Sequence, residues 1–182
     1  MDSKRNGEFR NGKAARTIFR GLLVGLVAMA ITGIASAQED TTLKFRGAVG
    51  VIPVTGVAAS GAVNLNVVRG VNPAGPWRIA DLNANVSSEG RIRVKGRGLL
   101  LAAGNGIGTN AGASVFATLF CGPAATATAH SSNRVALDAD GDFAIDDLLS
   151  PAPPASCDTP VLLIRNGAGS GVWFAAGLPE VK

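Results

Sequence analysis

Downstream of Ala37 every apolar run is broken before it reaches the length of a helix. Leu43–Val49, Ala62–Val68, Trp77–Val86, Arg91–Leu101, Ser114–Cys121, Val161–Arg165 and Val172–Ala176 are separated by "NPAGP", "SSEG", "GNGIGTNAG", "SPAPPAS" and "NGAGSG". Gly, Pro, Asn and Ser supply the backbone angles of turns, and short runs between frequent turns read as strands. The pattern predicts an all-β chain, drawn here as a single-domain β-sandwich of Ig-like or Greek-key type over residues 38–182. "SPAPPAS" is too short to be a domain linker, and no fixed-period repeat is visible.

One hairpin is predictable in register. "RIADLNANVSSEGRIRVKGRG" holds two alternating strands around Ser88, Glu89 and Gly90. A three-residue loop with Gly90 left-handed sets Val86 against Ile92, Ala84 against Val94 and Leu82 against Gly96 on one apolar side. Asn85 then meets Arg93, Asn83 meets Lys95, and Asp81 meets Arg97 on the other. A loop one residue longer or shorter mixes the faces, and a buried sheet face forbids that.

The first 37 residues read as an address. Lys4, Arg5, Arg10, Lys13, Arg16 and Arg20 precede the apolar run Gly21–Ile34, and "ASA" at Ala35–Ala37 follows it. That order is a secretory signal peptide, with a run of 14 residues that is short for a membrane span. The expected destination is periplasmic or secreted. The segment holds six of the seventeen Lys and Arg and two of the thirteen acids, so the remainder carries 11 of each and a formal net charge of zero. A general attraction to nucleic acid is not expected, nor an integral membrane segment in the mature chain.

Two cysteines, Cys121 and Cys157, remain in an exported chain, and an even count there predicts one disulfide. The chain has one His and no CxxC, so neither cysteine has the neighbours of a metal site.

"LDADGDFAIDD" invites a calcium reading through Asp138, Asp140 and Asp142 at positions 1, 3 and 5 of a loop. It fails where such loops are strict. Gly belongs at position 6, where Phe143 stands, and Glu at position 12, where Leu149 stands. A β-hairpin turn built on Asp140-Gly141 explains more of the residues. No cofactor is expected, with calcium as the alternative.

Gly106, Gly108 and Ala111 match GxGxxA, but "SVFATLFC" follows where a dinucleotide site needs a helix, so the stretch reads as a loop. His130 lacks a GxSxG partner and reads as a surface or strand-end residue. The candidate binding face is the polar side of the hairpin: Asn83, Asn85, Arg91, Arg93, Lys95 and Arg97. Strand parity adds Trp77 and Ile79 to it, unless a bulge near Ala80 returns them to the core.

"SVFATLFC", "LDADGDFAIDDLLSPAP", "SCDTPVLLIRN" and "VWFAAG", extending back through "LNVVRGVNPAGPWRIADL", resemble a group of small exported bacterial β-proteins with a Cys pair. The resemblance implies an exported β-protein and carries over no catalytic or binding residue. The expected role is non-enzymatic: binding, or structure associated with the envelope, with a glycan or envelope component as partner. Self-association through sheet edges is a further possibility, and the rival reading is a polysaccharide hydrolase acting through paired carboxylates.

Overall fold

A computed structural model describes residues 42–169 and 171–180, and the expected signal peptide, residues 1–37, lies outside them. Thirteen strands form among the described residues: β1 (Leu43–Gly50), β2 (Val54–Val57), β3 (Val63–Leu65), β4 (Trp77–Arg78), β5 (Asp81–Val86), β6 (Arg91–Arg97), β7 (Leu100–Leu101), β8 (Ser114–Cys121), β9 (Thr128–Ser131), β10 (Val135–Ala136), β11 (Phe143–Leu148), β12 (Val161–Asn166) and β13 (Trp173–Pro179). No helix is present among those residues, so none is long and apolar enough to cross a membrane. The described residues are all-β, as the breakers downstream of Ala37 imply.

Nine strands make one sheet in the order β10-β8-β12-β13-β1-β5-β6-β11, with β9 beside β10 on β8. The remaining four make two small ladders, β2–β3 and β4–β7. Where the sequence suggests two facing sheets, this one sheet curls into a half-barrel. Its two ends, β10 and β11, are joined through the turn that contains "DADGD". Contacts between the ends support the curl: Asn133 N–H donates to Asp147 Oδ2 at 2.6 Å, and Ser131 and Ser150 exchange backbone bonds of 2.9 Å. The bend has a local cause in β1, where a register shift between Phe45 and Ala48 falls on Gly47, at φ 78°. An extra residue in one strand of a pair bends that strand and deepens its twist.

The β5–β6 hairpin pairs Val86 with Ile92, Ala84 with Val94, Leu82 with Gly96, Asn85 with Arg93, Asn83 with Lys95 and Asp81 with Arg97, the predicted register. Ser87 N–H bonds the Arg91 carbonyl, Gly90 N–H bonds the Ser87 carbonyl, and Gly90 sits at φ 82°. The "DADGD" turn repeats this design. Asp138 N–H bonds the Asp142 carbonyl, Gly141 N–H bonds the Asp138 carbonyl, and Gly141 lies at φ 79°. Only its flanks differ from a simple hairpin, since β10 leaves to pair with β8 and β11 with β6.

Burial divides the sheet. Along β5 and β6 it alternates strictly, with Leu82, Ala84, Val86, Ile92 and Val94 buried and the intervening residues polar. Along β12 it does not: Leu162, Leu163 and Ile164 are all fully buried, so both faces are covered there. The segment leading into β4, and β4 itself, pack against the neighbouring strand β13. Trp173 donates its indole N–H to the Asn66 carbonyl at 3.0 Å, and Trp77 stacks on Phe174 with ring centroids 4.1 Å apart. The β5–β6–β11 side keeps a polar face toward solvent.

Candidate functional site

β1, β5, β6 and β11 present alternate residues to that face. β1 contributes Lys44 and Arg46, β5 contributes Asp81, Asn83 and Asn85, β6 contributes Arg91, Arg93, Lys95 and Arg97, and β11 contributes Ala144 and Asp146. A broad, open depression of about 850 Å³ lies over it, lined by both Asn residues, Arg93, Lys95 and Arg97, by Asp138 and Asp142 of the acidic turn, and by Phe143 and Ala144 at the start of β11.

Charges on the face are partly spoken for. Arg91 and Arg93 both bond the Asp146 carboxylate, Arg93 at 3.4 Å, and Arg97 meets Asp81 at 3.3 Å. The Arg91 guanidinium bonded to Asp146 holds that carboxyl below its ordinary value. Arg46 reaches across β5, donating to Asn83 Oδ1 at 3.0 Å and Asn85 Oδ1 at 2.9 Å. With both amide oxygens occupied, the Asn83 and Asn85 Nδ2 groups remain as donors. Lys95 makes no ion pair among the described residues. The centre of the face is therefore rich in donors, and Arg46, which organises it, escaped the sequence reading although "LKFR" alternates as a strand of this face should.

Trp77 is not on it. The chain breaks step at Ile79–Ala80: Ala80 N–H bonds the Arg97 carbonyl, and Trp77–Arg78 pair with Leu100–Leu101 instead of continuing the hairpin. Its ring is buried against Phe174, the outcome of the bulge alternative, because a large apolar ring gains more there than beside water. Ile79 is half-buried and packs on the core.

The acidic turn is knitted to backbone. Asp138 Oδ1 accepts from the N–H groups of Asp140 and Asp142, at 3.0 and 2.8 Å, and Asp142 Oδ1 accepts from Gly98 N–H at 2.8 Å. No three acidic, His or Cys side chains converge as a metal centre among the described residues. His130 is buried near the end of β9, which is the strand-end alternative and not the surface one. The Pro151 carbonyl only accepts, so Nδ1 carries the hydrogen of that 2.9 Å bond, and Nε2 takes the Thr128 hydroxyl at 2.9 Å.

Asp147 marks where the sheet ends meet. Bonds from the backbone N–H groups of Asn133 and Leu148 hold its carboxyl below the ordinary value of 3.8. A depressed folded pKa adds stability above the unfolded value, and that stability is lost as pH falls through the folded one. The melting temperature is expected to stay level above about pH 5 and to fall below about pH 4. Asp147→Asn is expected to melt lower at neutral pH with a shallower acid slope, and an unchanged pH profile would contradict this assignment.

Cys121 and Cys157 form a disulfide, as expected from their number. No protein-family model matches the chain, and neither a curated protein nor a solved structure matches it.

Proposed function

We propose that this is an exported, non-enzymatic binding protein that takes an extended acidic polysaccharide across the β5–β6–β11 face. The observation that carries this reading is the donor-rich centre: the Nδ2 groups of Asn83 and Asn85 beside Lys95 and Arg93, in one open depression. Such donors match uronate carboxylates and ring hydroxyls, and guanidinium groups bind carboxylates in a planar fork. With Trp77 buried, recognition relies on hydrogen bonds and charge rather than on sugar stacking, which favours an anionic chain over a neutral one. The Cys pair and the apolar N-terminal run support export.

The test is affinity electrophoresis in polygalacturonate, with dextran as the neutral control. Retardation is expected in the first gel only. Lys95→Glu with Arg93→Ala is expected to weaken binding at least about tenfold, with more lost at low salt than at high. Free migration of the wild type in both gels would remove the reading. The second reading, hydrolysis, is favoured by Asp81, Asp138 and Asp142 lining the same depression. Each gives an oxygen to a structural donor, Arg97, Asp140 N–H or Gly98 N–H. Release of new reducing ends from polygalacturonate would favour the enzyme.

A further inference from the structure

The β2–β3 hairpin is unlike the rest of the surface. No charged residue stands between Arg46 and Arg69. Among the described residues ten large apolar side chains are exposed, and six of them, Ile52, Val54, Val57, Val63, Leu65 and Val67, belong to this arm at 38–66% exposure. The pairing is Val54 with Leu65 and Val57 with Val63, with Thr55 and Gly56 together opposite Asn64. That extra residue keeps Val57 on the same side as Val54, so four branched side chains gather on one face. β2 and β3 pair only with each other, so both outer edges are open among the described residues.

We propose that this face joins two copies of the chain, arm against arm. An apolar strand face with open edges normally attracts protection such as Lys, Pro or a covering element, and within the two strands none is present. A second identical arm supplies the cover through one two-fold contact in which the same patch serves both partners. The four side chains of the face expose on the order of 350 Å² per copy and Ile52 and Val67, which flank the strands, bring this to about 500 Å², so a contact that takes in all six buries roughly 1,000 Å², the lower bound for a specific interface. Two uncharged surfaces meet without repulsion. A lipid surface fits less well, because the arm lacks both the Lys and Arg that engage headgroups and the aromatic side chains that anchor at the interface. No arm residue lines the polar depression, so pairing leaves the proposed binding face open.

Sedimentation velocity of the purified protein across roughly 1–100 µM tests this. A dimer mass is expected, giving way to monomer on dilution. Val57→Glu with Val63→Glu is expected to be monomeric throughout, with the circular dichroism and melting temperature of the wild type. Val57→Lys with Val63→Lys is expected to behave likewise, and mixing the two variants is expected to restore the dimer mass. A monomeric wild type, a dimeric glutamate variant, or a mixture that stays monomeric would each overturn the proposal. So would flotation of a monomeric wild type with phosphatidylcholine vesicles that the glutamate variant loses, which would make the arm lipid-directed.

Discussion

Replacing both cysteines by alanine is expected to cost about 3–4 kcal/mol of stability, or roughly 10 °C in melting temperature. The bond joins residues 36 apart, so breaking it restores substantial chain freedom to the unfolded state. Its placement adds a second effect. Cys121 ends β8, and Cys157 belongs to the long connection from β11 to β12. The start of that connection is held by Leu149 N–H to the Gly90 carbonyl and by the Ser131–Ser150 pair, and His130 Nδ1 bonds the Pro151 carbonyl. Around the bridge it docks through Gly122 N–H to the Asp158 carbonyl at 2.7 Å, the Thr159 hydroxyl to the Gly122 carbonyl at 2.8 Å, and Arg69 to the Thr159 carbonyl at 2.9 Å. Without the bridge the connection is held by hydrogen bonds each worth about 1 kcal/mol net. Early loss of amide-exchange protection at Gly122 is therefore expected in the Cys121→Ala, Cys157→Ala variant, before global unfolding. The double variant avoids the free thiol of either single one. A melt unchanged within about 2 °C would show that the bridge is incidental to the fold.

The difference between what the sequence discloses and what it conceals is one of range. The β5–β6 register is readable because its two faces have opposite polarity and Gly90 is the residue that tolerates the loop's left-handed position; both constraints act within 17 residues, Asp81 to Arg97. Whether a sheet faces a second sheet or curls on itself depends on distant pairings. β1 lies between β13 and β5, and β8 lies against β12. Alternation specifies inside and outside, and both architectures need the same alternation. Parity and a bulge place Trp77 on opposite sides, and the choice between them is hidden for a related reason, since its partners Phe174 and Leu101 are remote in the chain. The candidate site divides the same way. Its cations on β6 are visible as a repeating pattern, whereas the role of Arg46 depends on β1 pairing with β5. For His130, buried between Thr128 and Pro151, the sequence carries no signal that distinguishes it from a surface residue.

Gly96→Val is expected to destabilise by about 3 kcal/mol, opposite in sign to the usual effect of valine in a strand. Gly96 sits on the apolar side of β6 between Leu82 of β5 and Phe143 of β11. A Cβ built there would overlap the Phe143 ring, so the ring occupies the space a side chain would fill. Phe143 is itself buried and directly follows the turn linking the two sheet ends, so it has little room to swing away. Phe143→Ala removes the ring and is expected to cost about 3–4 kcal/mol. Combining the substitutions tests whether one residue excludes the other: valine methyls then enter the vacated space, and the double variant should be less damaged than the sum by at least about 1 kcal/mol. Denaturant midpoints of the four proteins close the cycle. Simple additivity would mean that Gly96 is required for its backbone and not for the ring above it.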